Sequence, residues 1–154
     1  MIDGVIFTPL PIINTVGGDV LHGMKESDEG FHRFGEAYFS TIKSGAIKGW
    51  KLHQEMVLNL VVPEGSVGFV IFDDRDSSKT AGEFSEILLS RKIYGRLTVP
   101  PKLWVGFKGV SEKDSLLLNI ANIPHDKNEV EHRALDEIDY DWSRVNLGQF
   151  NLGQ

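Results

Sequence analysis

The amino-acid sequence predicts an all-β protein built as an antiparallel sandwich or barrel. Sixteen glycines and six prolines interrupt the 154 residues at close intervals. The short segments between them are rich in Val, Ile, Leu and Phe, and several alternate with the period of two that a strand requires. No segment has the periodicity of a long amphipathic helix. Evenly spaced short strands joined by turn residues are typical of antiparallel sandwiches and barrels.

Seven strands are predicted along the chain, and an irregular tail follows them. The strands cover residues 37–43, 56–62, 66–74, 84–90, 95–100, 103–110 and 114–121. Pro63, Glu64 and Gly65 supply the turn of a hairpin between the second and third strands. Residues 124–142 are polar and acidic, and we expect them to cross the barrel surface and to contain one short helix at 128–135.

The composition favours a single domain, residues 1–154, and excludes several classes of protein. The net charge is −6, from 22 acidic and 16 basic residues, and no basic stripe is present, so no nucleic-acid partner is expected. The absence of cysteine excludes disulfides, thiol catalysis and thiolate metal sites. No apolar run reaches about 18 residues, and the first residues lack the basic start of a signal peptide. We therefore expect a cytoplasmic protein without a membrane span.

Five motifs occur in an order and spacing typical of one known family. They are an arm and first strands at 18–50, KGWKLH at 48–53, a Gly-centred hairpin with D-x-R-x-S-S-x-T-x-G within 59–90, YGRLTVPPKLWVGF at 94–107, and IDYDW at 138–142. With these motifs the sequence resembles the dTDP-4-dehydrorhamnose 3,5-epimerase family of the cupin superfamily. The resemblance is to its short, epimerase-like members in particular.

The resemblance implies a cupin jelly-roll barrel with an N-terminal arm, residues 1–30. It implies a C-terminal tail, residues 124–154, that packs on the barrel or on a partner in a homodimer. It also implies that the barrel mouth holds a nucleoside-diphosphate sugar, dTDP-linked. In the family a histidine removes a proton next to a ketone and a tyrosine opposite acts as an acid, with no cofactor. The expected function is a metal-independent epimerase or isomerase of deoxysugar or surface-polysaccharide biosynthesis.

The sequence departs from the family pattern at the base. Lys51 stands where the family has its base histidine, and His53 fits the second histidine of the short members. Residues two apart on a strand face the same side, so both would enter the pocket. Lys51 could act as a base in a dry pocket, could stay charged and stabilise an enolate or phosphate, or could reach solvent at the barrel rim. His53 is either a pocket residue or a core histidine.

The acid and metal positions of the family also differ here. The two tyrosine positions fall at Leu118 and near His125, so His125 is a candidate acid or base, with a plain loop histidine as the alternative. The family's C-terminal aspartate motif, which pairs with the base, has no counterpart in this chain. Metal-binding cupins have histidines at the positions of Lys51 and Val105, so no metal site is predicted.

Six further residues are candidates for substrate binding. Arginine and lysine suit a diphosphate, an acid suits a sugar hydroxyl, and an aromatic ring can stack on a base or sugar. The alternatives are surface ion pairs, core packing for the aromatic residue, and a turn cap for the aspartate. The candidates are Arg33, Glu36, Lys48, Trp50, Asp73 and Arg75.

Three functional hypotheses remain open from the sequence. The first is an epimerase or isomerase that acts on a nucleoside-diphosphate 4-keto-6-deoxyhexose, with Lys51, His53 and His125 as the polar centre. The second is a catalytically degraded cupin that binds a sugar nucleotide or a partner enzyme without turnover. A third, weaker hypothesis is a short relative that performs a different isomerisation with its own base.

Overall fold

Two five-stranded antiparallel sheets face each other in the computed structural model, which describes residues 1–148 and 150. The first sheet has the order β1-β9-β6-β11-β4 and the second has the order β12-β5-β10-β7-β8, while β2 and β3 form a separate hairpin. The strands are β1 (Ile6–Pro9), β2 (Ile12–Thr15), β3 (Gly18–Leu21), β4 (Glu36–Ile42), β5 (Ile47–His53), β6 (Leu58–Glu64), β7 (Ser66–Phe72), β8 (Phe84–Ser90), β9 (Gly95–Val99), β10 (Trp104–Gly109), β11 (Ser115–Ala121) and β12 (Val130–His132).

The predicted all-β antiparallel architecture is confirmed, and the seven predicted strands correspond to β4 and β6–β11. β5 contains the KGWKLH motif, which was also expected to form a strand, whereas the short strands β1, β2, β3 and β12 lack a strong pattern and were not predicted. The helix expected at 128–135 is wrong, because this segment contains β12 and then a 3₁₀ turn at Leu135–Glu137. Pairing with β5 places β12 at the edge of the second sheet, and this pairing overrides local helix propensity.

The main core lies between the two sheets and follows the period of two. On β7, Val67, Phe69 and Ile71 are fully buried and point inward, and Leu97 and Val99 do the same on β9. Burying a side chain of this size stabilises the fold by roughly 1.5–3 kcal/mol each. Repeated over the facing strands, this burial holds the two sheets together.

A second apolar cluster covers the outer face of the second sheet. Trp50, Trp104 and neighbouring residues of this face pack against Trp142 and Val145 of the C-terminal segment. The approach is close at Gly106, where a Cβ atom would lie 2.8 Å from the Trp142 ring. The C-terminal segment up to Val145 therefore lies against the barrel of its own chain, whereas Gln149 and residues 151–154 of the predicted tail lie outside the described residues.

The outer face of the first sheet holds the N-terminal segment through Arg96. The Arg96 side chain is fully buried and donates to the carbonyls of Gly23 and Glu29 and to the Asp28 carboxylate, at 2.8, 3.0 and 3.0 Å. The backbone N–H of Lys25, together with Arg96, holds the pKa of Asp28 below its ordinary value. Within the described residues, no helix is long and apolar enough to cross a membrane.

Candidate active site

A cavity of about 160 Å³ opens between the two sheets at one end of the barrel. Its inner part is apolar and its rim is polar, with side chains from both sheets. The apolar lining is formed by Leu58, Leu60, Val105, Phe107, Leu117 and Val130. The polar lining consists of the buried Asn119 and of the more exposed Tyr38, Ser40, Lys48, Lys51, His53, His125 and His132, which form the rim.

Strand β5 directs three of the predicted site residues into this cavity. Lys51 is opposite Val105 of β10, and Lys48 is opposite Phe107, so three steps on β5 correspond to two on β10. Strand β5 thus has one residue more than β10 over this stretch, which is a β-bulge. A bulge redirects side chains that strict alternation would place on the other face. Lys48 therefore lines the same cavity as Lys51 and His53.

His53 forms a close pair with Glu129, a residue that the sequence analysis did not select. His53 Nδ1 lies 2.5 Å from Glu129 Oε1, and the Glu129 side chain is only 6% exposed. The other carboxylate oxygen accepts from the backbone N–H groups of Glu55 and Met56, at 3.0 and 3.2 Å. Three donors thus converge on a carboxylate in a largely buried position.

The hydrogen bonds around Glu129 indicate which atoms of the His53–Glu129 pair carry protons. Burial acts to raise the pKa of Glu129, but the hydrogen bonds from His53 and from the backbone N–H groups of Glu55 and Met56 together hold that pKa below its ordinary value. Because Glu129 is then a carboxylate, it can only accept, so His53 Nδ1 carries a proton and donates. In a neutral imidazole this leaves the lone pair on Nε2.

Glu129 reaches His53 through the pairing of β12 with β5. Val130 is opposite His53 in the register, and the backbone N–H of Gln54 donates to the Glu129 carbonyl at 2.7 Å. The residues lie 76 positions apart in the chain. A carboxylate partner for the base is implied by the family resemblance, but its motif is absent here, and nothing local in the acidic tail distinguishes Glu129 from its neighbours.

The opposite wall of the cavity carries Tyr38 on β4 and Asn119 on β11. The two residues are register partners, and Asn119 Nδ2 donates to the Tyr38 hydroxyl oxygen at 3.1 Å. Neither was selected from the sequence, because a tyrosine in an apolar strand gives no signal of its direction. The period-two pattern of β11, in which Leu117 and Asn119 are buried, could have placed Asn119 toward the interior.

Two exposed histidines complete the rim. His125, predicted as an acid or base, lines the cavity, and so does His132, which is opposite Lys51 in the register. Lys51 itself is exposed, so it lacks the dry surroundings on which a lysine base depends. Among the described residues, no group of three or more His, Cys, Asp or Glu side chains is arranged to hold a metal ion.

The structure does not bring Trp50 to the cavity. Its side chain is fully buried on the other face of β5, with its ring 5.3 Å from that of Trp142 and 6.2 Å from that of Tyr140. A ligand in the cavity cannot stack on a ring that lies behind the sheet. We therefore correct the sequence-based role of Trp50 from ligand stacking to packing of the second apolar cluster.

Arg33 and Glu36 are also absent from the cavity wall. The exposed side chain of Arg33 donates through Nε to the carbonyl of Asn122 at 3.0 Å. Glu36 is half-buried at the start of β4, opposite Ala121. Neither residue contacts the cavity in this chain, and their predicted binding roles remain predictions.

Asp73 and Arg75 form a closed network in the loop after β7, away from the cavity. Asp73 is fully buried, and its carboxylate accepts from Arg75 Nε and Nη2, both at 2.8 Å, and from the hydroxyls of Ser78 and Thr80, at 2.5 and 2.6 Å. The Arg75 guanidinium, followed by these hydroxyls, holds the pKa of Asp73 far below its ordinary value, although burial opposes the shift. The fully buried Asp73 therefore has a structural role instead of a substrate contact, whereas the predicted binding role of the partly exposed Arg75 remains a prediction.

Two facing antiparallel sheets with a polar site in the mouth between them define the class of jelly-roll cupins. The structure resembles that of a dTDP sugar isomerase from Desulfovibrio desulfuricans G20, with a TM-score of 0.89 and 33% identity over 92% of each chain. It shares the fold of a dTDP-6-deoxy-D-glucose-3,5-epimerase from Legionella pneumophila Philadelphia 1, with a TM-score of 0.78 and 21% identity over 90% of this chain and 79% of that one.

A curated relative is also similar in sequence. It is the probable low-salt glycan biosynthesis epimerase Agl13 of Haloferax volcanii, which is 31% identical over 84 residues, 54% of this chain and 54% of that protein. The match thus spans about half the length of this relative. No protein-family model matches the sequence. From the agreement with the Desulfovibrio structure along nearly the whole chain, the protein belongs to the dTDP-4-dehydrorhamnose 3,5-epimerase-like family of cupins.

Proposed function

We propose that this protein is a sugar-nucleotide epimerase or isomerase of glycan biosynthesis. Its substrate would be a nucleoside-diphosphate 4-keto-6-deoxyhexose, from which it removes a proton next to the ketone. The observation that carries the proposal is the His53–Glu129 pair at the cavity between the sheets. The similarity to a protein described as a dTDP sugar isomerase, at 33% identity, supports the same substrate class.

His53 is the base in this proposal. With Nδ1 donating to the Glu129 carboxylate, Nε2 has the lone pair that accepts the substrate proton. The carboxylate then stabilises the imidazolium that forms and keeps the ring in one orientation. The base function has thus moved from the family's first histidine position, now Lys51, to the second.

Lys51 supplies positive charge in this proposal. It lies two residues from His53 on the same strand and lines the same cavity. A cation placed where an enolate oxygen develops lowers the barrier to removal of the neighbouring proton. Lys48, brought to the same side by the β-bulge, adds a second positive charge that suits the diphosphate.

The size of the cavity limits what it can enclose. Its volume of about 160 Å³ is below the roughly 300–1,000 Å³ of pockets that enclose a whole small-molecule ligand. The cavity therefore suits the sugar ring, with the diphosphate and nucleoside extending from the mouth past the lysines. His125 and His132 lie on that rim and would contact the sugar or the phosphates.

We also propose a homodimer. Phe34 and Phe39 are 67% and 62% exposed next to the first sheet, and Val16 at the tip of the β2–β3 hairpin is fully exposed. Large apolar side chains that remain exposed are candidates for contacts between subunits. Light scattering at micromolar concentration tests this proposal: a monomer of 17.2 kDa would contradict it.

Incubation with a dTDP-4-keto-6-deoxyhexose in deuterium oxide tests the activity. We expect deuterium to enter the carbon next to the ketone, and a new sugar isomer to accumulate, as detected by NMR and mass spectrometry. His53→Gln should slow both about 10²- to 10⁴-fold, whereas substitution of His32, an exposed histidine outside the cavity, by Gln should not. Binding of the sugar nucleotide without any exchange would instead support the degraded, non-catalytic cupin.

A further inference from the structure

We infer that Tyr38 is the proton donor of this site, acting on the sugar from the wall opposite His53, and that Asn119 positions it. This inference rests on the proposed function and adds a catalytic residue to it. The family resemblance places its tyrosine acid elsewhere, at Leu118 or near His125, and neither position is a tyrosine in this chain.

The two walls of the cavity carry different chemical groups. Tyr38 and Asn119 project from β4 and β11 of the first sheet, while Lys51 and His53 project from β5 of the second. A sugar ring held between the sheets would have the base on one side and the phenol on the other. Removal of a proton from one face and delivery to the opposite face is the geometry that inverts a carbon centre.

The orientation of the Asn119 amide follows from its second hydrogen bond. Its Oδ1 lies 3.2 Å from the backbone N of Asn59, which can only donate. The amide nitrogen must therefore face the Tyr38 oxygen, which lies 3.1 Å away. Asn119 is only 2% exposed, and rotation of its amide would place the Asn59 donor against another donor.

This contact assigns the two roles of the Tyr38 hydroxyl. The oxygen accepts from Asn119, so the proton of Tyr38 is not used in this hydrogen bond. Tyr38 lines the cavity and is 43% exposed, so its proton is available to a ligand there. The donated amide N–H also stabilises the negative charge that remains on the oxygen after the proton leaves.

His53 and Tyr38 together account for every proton that the reaction moves. His53 Nε2 takes the proton from the carbon next to the ketone, and the electron pair of the C–H bond forms a carbon–carbon double bond as the carbonyl oxygen becomes an enolate. Tyr38 then gives its O–H proton to carbon on the opposite face, and the carbonyl re-forms. The phenolate regains a proton from solvent as His53 loses one, so no oxidant or cofactor takes part.

The other candidate acids fit less well. Leu118 belongs to the less buried residues of β11, where it is opposite Phe39, and it does not line the cavity. His125 lines the cavity but is exposed on the loop after β11, on no strand of either sheet. Tyr38 is held by a strand and by a buried amide, which is the rigidity that a proton donor requires.

The Tyr38→Phe variant should separate product formation from deuterium exchange into the substrate. We expect product formation to fall about 10²- to 10⁴-fold, as for loss of a general acid, while exchange of deuterium into unreacted substrate stays within a few-fold of wild type. The exchange survives because His53 can return a solvent-derived proton to the same face. Binding of dTDP should stay unchanged. Tyr94→Phe, which removes a hydroxyl that donates to the carbonyl of His22, is the matched control.

Asn119→Asp tests the positioning role. The aspartate still accepts from the Asn59 N–H but, when ionised, cannot donate to Tyr38. We expect product formation to fall while the deuterium exchange persists, so that the ratio of the two rates changes in the same direction as in Tyr38→Phe. A merely structural role for Asn119 would lower both rates together.

The outcomes distinguish this inference from the proposed function. The role of Tyr38 is wrong if Tyr38→Phe forms product within about three-fold of the wild-type rate, or if it loses exchange and product formation together. Either result would leave the proposed function standing. If His125→Gln instead of Tyr38→Phe uncouples exchange from product, His125 is the acid and the inference is wrong. A wild-type protein that exchanges no deuterium would overturn the proposed function and the inference with it.

Discussion

Glu129 and Asp73 are both buried carboxylates that pair with a basic side chain, yet their surroundings differ. Asp73 receives hydrogen bonds from Arg75, Ser78 and Thr80 within one loop, and both of its oxygens are occupied. Glu129 also has both oxygens occupied, but its partner His53 lines a cavity and has a second ring nitrogen. The Asp73–Arg75 pair therefore has only structural contacts within its loop and the chain start. In the His53–Glu129 pair, by contrast, a buried carboxylate is hydrogen-bonded to an imidazole that a ligand in the cavity can reach.

The presence of a sequence motif does not distinguish the structural pair from the pair at the cavity. Asp73 and Arg75 belong to a recognisable motif, but the structure gives them the task of holding a loop and the first residues of the chain, since Arg75 Nη2 also donates to the Asp3 carbonyl at 2.9 Å. Glu129 belongs to an acidic tail without a motif, and it supports the proposed base. A recognisable motif can therefore have a structural role, while the carboxylate that pairs with the proposed base lies in a segment without a motif.

The sharpest test of the comparison is His53→Gln. We expect catalysis to fall about 10²- to 10⁴-fold because the general base is lost, with little change in the midpoint of unfolding. Steady-state kinetics and urea denaturation measure the two effects. Unchanged catalysis would contradict a functional role for the His53–Glu129 pair.

Asp73→Ala should show the opposite behaviour. It leaves the Arg75 guanidinium and two hydroxyls without their acceptor, and removing one partner of a buried ion pair costs about 3 kcal/mol. We expect this loss in the free energy of unfolding, with normal catalysis by the protein that stays folded. Asp74→Ala, which removes an exposed carboxylate paired with Arg133 at 3.3 Å, should cost at most about 1 kcal/mol. Equal losses in the two variants would contradict the structural role.

Glu129→Gln should have an intermediate effect on catalysis. The amide cannot stabilise the imidazolium by charge, and loss of such a supporting carboxylate typically costs about 10- to 100-fold. Kinetics with the sugar nucleotide measure this effect, and Glu131→Gln, an exposed acid two residues away on β12, is the control. If both variants behave as wild type, His53 does not depend on its partner.

The smallest expected effect is on the pH dependence of stability. The folded protein lowers the pKa of Asp73 and of Glu129, so both carboxylates stabilise it at pH values above their unfolded pKa of about 4. This stabilisation is lost as the pH falls through and below that value. We therefore expect Asp73→Asn to flatten the decline in the free energy of unfolding between about pH 5 and pH 3.

Denaturant titrations at several pH values measure this decline. Asp74→Asn, at the exposed neighbouring position, controls for the removal of one negative charge. An Asp73→Asn protein whose stability falls with acid as steeply as that of the wild type would show that ionisation of Asp73 contributes nothing to the acid sensitivity.

Part of the site could be predicted from the sequence. The KGWKLH motif placed Lys51 and His53 on one face of a strand, and both line the cavity. Lys48 also reaches it, but through a β-bulge that no local pattern indicated. Trp50, which is next to Lys51 in the same motif, lies behind the sheet, because the alternation of a strand sends neighbours to opposite faces.

The sequence alone determined the all-β class, the seven longer predicted strands, the family and the chemical character of the β5 motif, because these depend on local periodicity and on the order of motifs. Only the tertiary structure showed that Glu129 pairs with His53 and that Tyr38 lines the same cavity from the other sheet, which are the contacts on which the proposed roles rest. Glu129 lies 76 residues from His53, and Asn119 lies 81 residues from Tyr38. Such pairs are created by strand register, which long-range packing sets and which no short segment of sequence encodes.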